Sequence, residues 1–112
     1  MNKQRRKELH MLVEKLKKII HMNTTVVDLD EMKEFLDDIK SDLELLYGDE
    51  ESYMDNIPEN LQESIRYEKA EAACDNLENA VDYLDYAIES DTFDEMMGYI
   101  NDTINFICQA SL

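Results

Sequence analysis

Proline occurs once in this chain, at position 58, inside the decapeptide YMDNIPENLQ that runs from Tyr53 to Gln62. That break limits the fold more than any other feature, because the apolar residues on both sides of it repeat at helical spacing. Before it, Leu29, Met32, Leu36, Ile39, Leu43, Leu46 and Tyr53 keep an a/d heptad, with Glu50 the one polar lapse. After it, Ala70, Ala73, Leu77, Ala80, Leu84 and Ala87 do the same, with Val81 and Ile88 widening the stripe. Alanine at so many seam positions lets a neighbouring helix approach closely. Residues 28–54 and 64–90 are each 27 long, about 40 Å as helix at 1.5 Å per residue. Equal arms about a single proline predict an antiparallel helical hairpin.

The corner itself is written in turn chemistry. Asp55 and Asn56 favour turns, and Ile57 is biased away from helix because proline comes next. Pro58 suits the first turn of a new helix, where its missing N–H would be unpaired anyway. Asn56, Asn60 and Ser64 all qualify as the next N-cap, so the sequence leaves that start open by a turn or two. Asp28 caps the preceding arm, with Glu31 completing a capping box and Val27 and Met32 at the positions of a hydrophobic staple. Gly48 lies within that arm and either is tolerated there or ends the helix at Tyr47.

Two shorter helices flank the hairpin. Leu9, Leu12, Val13, Leu16, Ile19 and Ile20 form an amphipathic stripe that stops near Met22, where Asn23-Thr24-Thr25-Val26-Val27 loses the period. Thr92 opens the last helix with Glu95 three residues on, and Phe93, Met97, Ile100, Ile104 and Ile107 lie on one stripe. The expectation is a single all-α domain over 1–112, a three- to four-helix bundle with helices at about 3–22, 28–54, 60–90 and 92–110. A hairpin that dimerises to finish its core is the alternative.

Two glycines and no tryptophan leave little turn chemistry for a β fold. Cys74 and Cys108 fit no CxxC or Cys/His pattern, which suits free thiols in a reducing compartment, both expected as small buried hydrophobes. No apolar run reaches 18 residues, and Glu8, His10 and Glu14 interrupt the segment after the basic start, so neither a membrane span nor a signal peptide is expected. A cytoplasmic protein is the expectation, with the sequons at Asn23 and Asn101 accidental.

Charge is the strongest compositional signal. The net charge is −16, split between residues 1–22, with seven Lys/Arg and two acids for +5, and the remainder, with four against 25 for −21. Such a balance repels a phosphate backbone, so direct nucleic-acid binding is not expected. The remaining acids oppose an anionic membrane surface as well. The sharpest pattern is on the third helix, where Glu68, Glu71, Asp75, Glu78, Asp82, Asp85 and Glu89 recur at alternating three and four. These are b and f positions, facing outward. Asp30, Glu34, Asp37, Glu44, Glu51 and Asp55 repeat the pattern on the second helix, interrupted by Ser41 and Gly48. Solvated helix faces usually intersperse lysine, because like charges at i,i+4 cost a few tenths of a kcal/mol each. Tyr83 and Tyr86 lie beside the stripe, as interface anchors or partly buried between helices.

The run YMDNIPENLQ, then Ser64, RYEKAE (Arg66–Glu71) and DNLENA (Asp75–Ala80), resembles a family of small acidic helical proteins from phages and mobile elements of low-GC Gram-positive bacteria. The resemblance covers roughly residues 43–90. It implies the hairpin and a mobile-element origin, and it carries no activity, cofactor or site residue.

No pattern selects a catalytic group: there is no G-x-S-x-G, no glycine-rich phosphate loop and no cysteine near a histidine. His10, Glu14 and His21 share a helix face at whole-turn spacing, but histidines beside lysines are ordinarily just solvated. Asp49, Glu50, Glu51 and Asp55 lack the rhythm of a calcium loop. The sequence therefore predicts a non-enzymatic protein without cofactor or metal. Its acidic stripe docks a basic protein surface, as a phage or mobile-element inhibitor of a nucleic-acid-binding protein would, or its own basic N-terminal arm within a homo-oligomer such as a homodimer. A self-associating accessory module with a merely solubilising surface is the competing expectation.

Overall fold

Side-chain caps start all four α-helices, and their positions explain the boundaries. The computed structural model describes residues 1–22 and 27–112. Asn2 accepts from the Arg5 N–H at 2.8 Å and opens α1 (Lys3–Ile20). Asp28 accepts from the Glu31 N–H at 2.8 Å and opens α2 (Leu29–Asp55). Ser64, the last of the three eligible caps, opens α3 (Ile65–Ile88), and Thr92 opens α4 (Phe93–Ala110). Each oxygen satisfies one of the N–H groups that a helix start leaves unpaired. The irregularity expected over 23–26, with the Asn23 sequon, lies outside the described residues.

The third helix thus begins at Ile65 rather than near position 60. Pro58 (φ −56°, ψ 145°) precedes a single 3₁₀ turn, Glu59–Leu61, instead of entering an α-helix. Its carbonyl accepts from the Leu61 N–H at 2.8 Å. Ile57 anchors the corner by burying its side chain. Through Gly48, by contrast, α2 runs unbroken to Asp55.

The helices form an all-α bundle about 55 × 22 × 18 Å, in which α1 packs on α2 and α4, and α3 packs on α2 and α4. Arg5 of α1 meets Glu50 of α2, and Tyr86 of α3 meets Tyr99 of α4. The short helices are therefore staggered along the hairpin, the start of α1 at the corner end of α2 and the start of α4 toward the far end of α3.

The heptads pack as their spacing requires. Met32, Leu36, Ile39, Leu43 and Leu46 of α2 and Ala70, Ala73, Leu77, Ala80, Leu84 and Ala87 of α3 are buried. Leu9, Leu12, Val13, Leu16 and Ile19 close the core from α1. On α4 the buried seam is Met96, Ile100, Thr103, Ile107 and Ala110, whereas Phe93, Met97 and Ile104 flank it. The hydroxyl of Thr103 is fully buried and donates to the Tyr99 carbonyl at 2.9 Å. A polar and a small residue thus hold two seam positions that hydrophobicity alone assigns to their neighbours.

Candidate functional site

Three surfaces carry chemistry beyond packing: the acidic α2–α3 face, a buried charge cluster at the corner end, and a groove between α1 and α2.

On α3, Glu68, Glu71, Asp75, Glu78, Asp82 and Glu89 are exposed. Asp85 is half-buried and paired with Lys40 of α2, which also lies 3.6 Å from Glu44. The hydrogen bond to Asp85 raises the Lys40 pKa above its usual value, outweighing the burial that would lower it. Lys40 is thus the pin at which the α2 and α3 stripes meet. The α2 acids Asp30, Glu34, Asp37, Glu44, Glu51 and Asp55 are likewise exposed. The basic first helix does not cover the α3 stripe, because its apolar side is held between α2 and α4.

Tyr83 and Tyr86 join Tyr99 and Phe106 in an aromatic cluster that ties α3 to α4, with ring centroids 5.1–6.2 Å apart. Tyr83 is half-buried within it, and Tyr86 keeps 47% of its surface in solvent. Such tilted and edge-on pairs hold rings rigidly, so Tyr86 is a preset apolar edge on the α3–α4 flank.

Glu50 is the residue whose polarity the heptad pattern exposes without explaining. Its side chain is wholly buried, with Oε2 2.8 Å from Arg5 Nε. The backbone nitrogen of Met1 lies 3.7 Å from Oε1, an oxygen without a hydrogen-bond partner among the described residues. Arg5 stacks on Tyr53 with its guanidinium carbon 5.5 Å from the ring centroid, and Arg66 does so at 5.3 Å while its Nε donates to the Tyr53 hydroxyl at 2.6 Å. Tyr53, expected in the seam, is therefore half-buried between two arginines. A carboxylate at a heptad position was the signal that a cation had to reach it from another helix. Arg5 also stands near the positive end of α1, where a cation is disfavoured, and Glu50 offsets that cost.

Of the two cysteines, Cys74 is buried and Cys108 is exposed, against the expectation that both would be buried. Burial, with the charges of Glu50 and Glu51 nearby, pushes the Cys74 thiol up to about 11. Burial and the hydrogen bond to Glu51 push Tyr47 up to about 12. Neither is poised as a nucleophile or base near neutral pH. His10, Glu14 and His21 are exposed, and among the described residues no three His, Cys, Asp or Glu side chains gather to hold a metal.

The α1–α2 groove has no signature in the linear pattern. Met11 and Leu45 face solvent across it at 55% and 69% exposure, and Phe35 at 44% lies further along. Glu8, Lys15 and Lys18 stand on its α1 wall, and Asp38, Asp42 and Asp49 on its α2 wall. Among the described residues no helix is long and apolar enough to cross a membrane. Comparison with protein-family models, with curated proteins and with solved structures finds no match to this chain.

Proposed function

We propose that this is a non-enzymatic binding protein whose acidic α2–α3 face docks a basic protein surface, acting in the cytoplasm. The observation that carries the reading is the exposed run from Glu68 to Glu89, about 32 Å of helix at 1.5 Å per residue. Only Asp85 in that run is drawn into an ion pair with another helix among the described residues. Holding unrelieved like charges in register costs stability, and a cationic partner would recover it. One stripe places a charge about every 5 Å, sparser than the roughly 3.4 Å per phosphate of a DNA strand. The α2 stripe meets it at Lys40 and raises the density. That supports a partner whose natural ligand is nucleic acid, and, with the phage and mobile-element resemblance, an inhibitor of such a protein.

The test replaces Asp75, Glu78, Asp82 and Glu89 with their amides and leaves the paired Asp85 alone. Affinity capture from a Gram-positive lysate at low and high salt is compared with the parent chain. Loss of one salt-sensitive basic protein, with unchanged melting, supports docking. Equal capture by both chains refutes it.

A second reading, self-association, is favoured by a different observation: large apolar side chains exposed along the α1–α2 groove.

A further inference from the structure

We infer that the α1–α2 groove is the interface of a symmetric dimer of this chain, with its two-fold axis parallel to the bundle axis. The inference deepens the self-association reading and is independent of the acidic-face proposal.

The apolar strip of the groove is the part that needs covering. Leu45 and Met11 are among the most exposed large hydrophobic side chains, and both line the same cavity of about 390 Å³. Phe35 lines a second, contiguous along α1 and α2 through Lys15 and Asp42. Large apolar side chains exposed in one groove and rimmed by charge suit an association site.

The two walls say what covers it. α1 contributes Glu8, Lys15 and Lys18, and α2 contributes Asp38, Asp42 and Asp49; the antiparallel run fixed by Arg5 with Glu50 sets Met11 level with Leu45, Lys15 with Asp42, Lys18 with Asp38 and Glu8 with Asp49. Among the described residues none of these lysines forms an ion pair across the groove within 4.0 Å; the cross-helix pair of α1 is Arg5 with Glu50. From Met11 to Lys18 the α1 wall of the groove is positive and the α2 wall negative, so that stretch is complementary to itself, and only Glu8 with Asp49 at its end sets acid beside acid. Rotation about an axis parallel to the helices exchanges the walls and preserves the level of every residue. It therefore sets α1 against α2 of the second copy, with Lys15 facing that copy's Asp42 and Met11 facing its Leu45. A two-fold axis across the helices would instead set α1 on α1 and lysine wall on lysine wall. Charge selects the first arrangement, and isologous contact closes it as a dimer rather than a filament.

The arrangement also accounts for the uneven sequence. A basic helix in an otherwise acidic protein lets two copies meet despite a net charge of −16 each. It leaves the α3 stripe of both copies uncovered.

The experiment is a charge-swap mixing test, read as mass by light scattering after size exclusion and by sedimentation at low salt, over about 1–500 μM, the range in which modest interfaces exchange. The parent chain is expected to reach twice the monomer mass. Lys15→Glu alone places two acids opposite one another, and Asp42→Lys alone places two lysines opposite one another, so each variant is expected to be monomeric. An equimolar mixture of the two restores both pairs and is expected to recover the dimer. Leu45→Asp, at a position too exposed to affect folding, is expected to abolish dimerisation with melting of the monomer unchanged. A parent chain that stays monomeric throughout overturns self-association altogether. A dimer unaffected by Leu45→Asp, or single charge variants that dimerise as well as the parent, would leave self-association standing and overturn this interface.

Discussion

Arg5→Met removes the guanidinium from a carboxylate that has no access to solvent. At 2.8 Å and an effective dielectric near 20, the attraction is about 6 kcal/mol, part of which only offsets the desolvation of Glu50. Stranding one partner of a buried pair costs about 3–5 kcal/mol, because Glu50 loses its hydrogen-bonded counter-ion and not its burial, and keeps only the Met1 ammonium at 3.7 Å. Methionine still covers the face of Tyr53, so the change isolates charge from packing. At roughly 4 °C per kcal/mol for a chain of this size, Tm should fall by about 12–20 °C. The reverse deletion behaves differently. Glu50→Leu continues the α2 heptad, and Arg5, already 14% exposed, can turn its head group to water, so the loss should stay below about 1 kcal/mol. The double variant Arg5→Met/Glu50→Leu should match the parent or exceed it by about 1–4 kcal/mol, since an apolar pair in place of a buried ion pair carries no desolvation cost. Urea unfolding followed by circular dichroism on all four chains gives the cycle directly. A loss below about 1 kcal/mol for Arg5→Met, or a double variant as unstable as that single one, would refute the account of the corner.

Three further outcomes are expected from the same packing. Gly48→Ala should stabilise the chain by about 1 kcal/mol in denaturant unfolding, because α2 is unbroken there and the added Cβ meets nothing within 4 Å. In the native protein at pH 8 an aromatic disulfide reagent should titrate Cys108 quickly and Cys74 only slowly, and denaturant should make both fast; equal rates would contradict the burial of Cys74. Cys74 and Tyr47 are acids whose folded pKa values, about 11 and about 12, lie above their ordinary ones. The unfolded chain therefore loses those protons first, and stability should be constant at neutral pH and decline from about pH 9 upward; thermal melts that hold steady to pH 11 would overturn this.

The sequence by itself determined the class of fold, the hairpin and the place of its break, because period, capping and the conformational limits of proline act over a few residues; the 3₁₀ turn at Glu59–Leu61 and the start of α3 at Ile65 came from the structure. Asp28, Ser64 and Thr92 cap the helices they were eligible to cap, and the heptads of α2 and α3 bury the residues they name except Leu29 and Tyr53 at the two ends of α2, which are half-buried. The outward direction of the α3 acids was legible for the same reason, since a helix that buries its a and d positions exposes b and f. Where a local signal was degenerate, only packing resolved it. Gly48 is carried through α2 by the core on either side, and Thr103 takes a seam place on α4 because the Tyr99 carbonyl satisfies its hydroxyl. Pairings between distant residues were invisible for a different reason: nothing in a one-dimensional pattern relates position 5 to position 50 or position 15 to position 42. The tertiary structure decided that Arg5 neutralises Glu50, that Tyr53 lies between two arginines, and that α1 settles between α2 and α4 with the acidic stripe left open. It also brought Met11 level with Leu45, making one groove of two apolar residues that lie off the seams of their own helices.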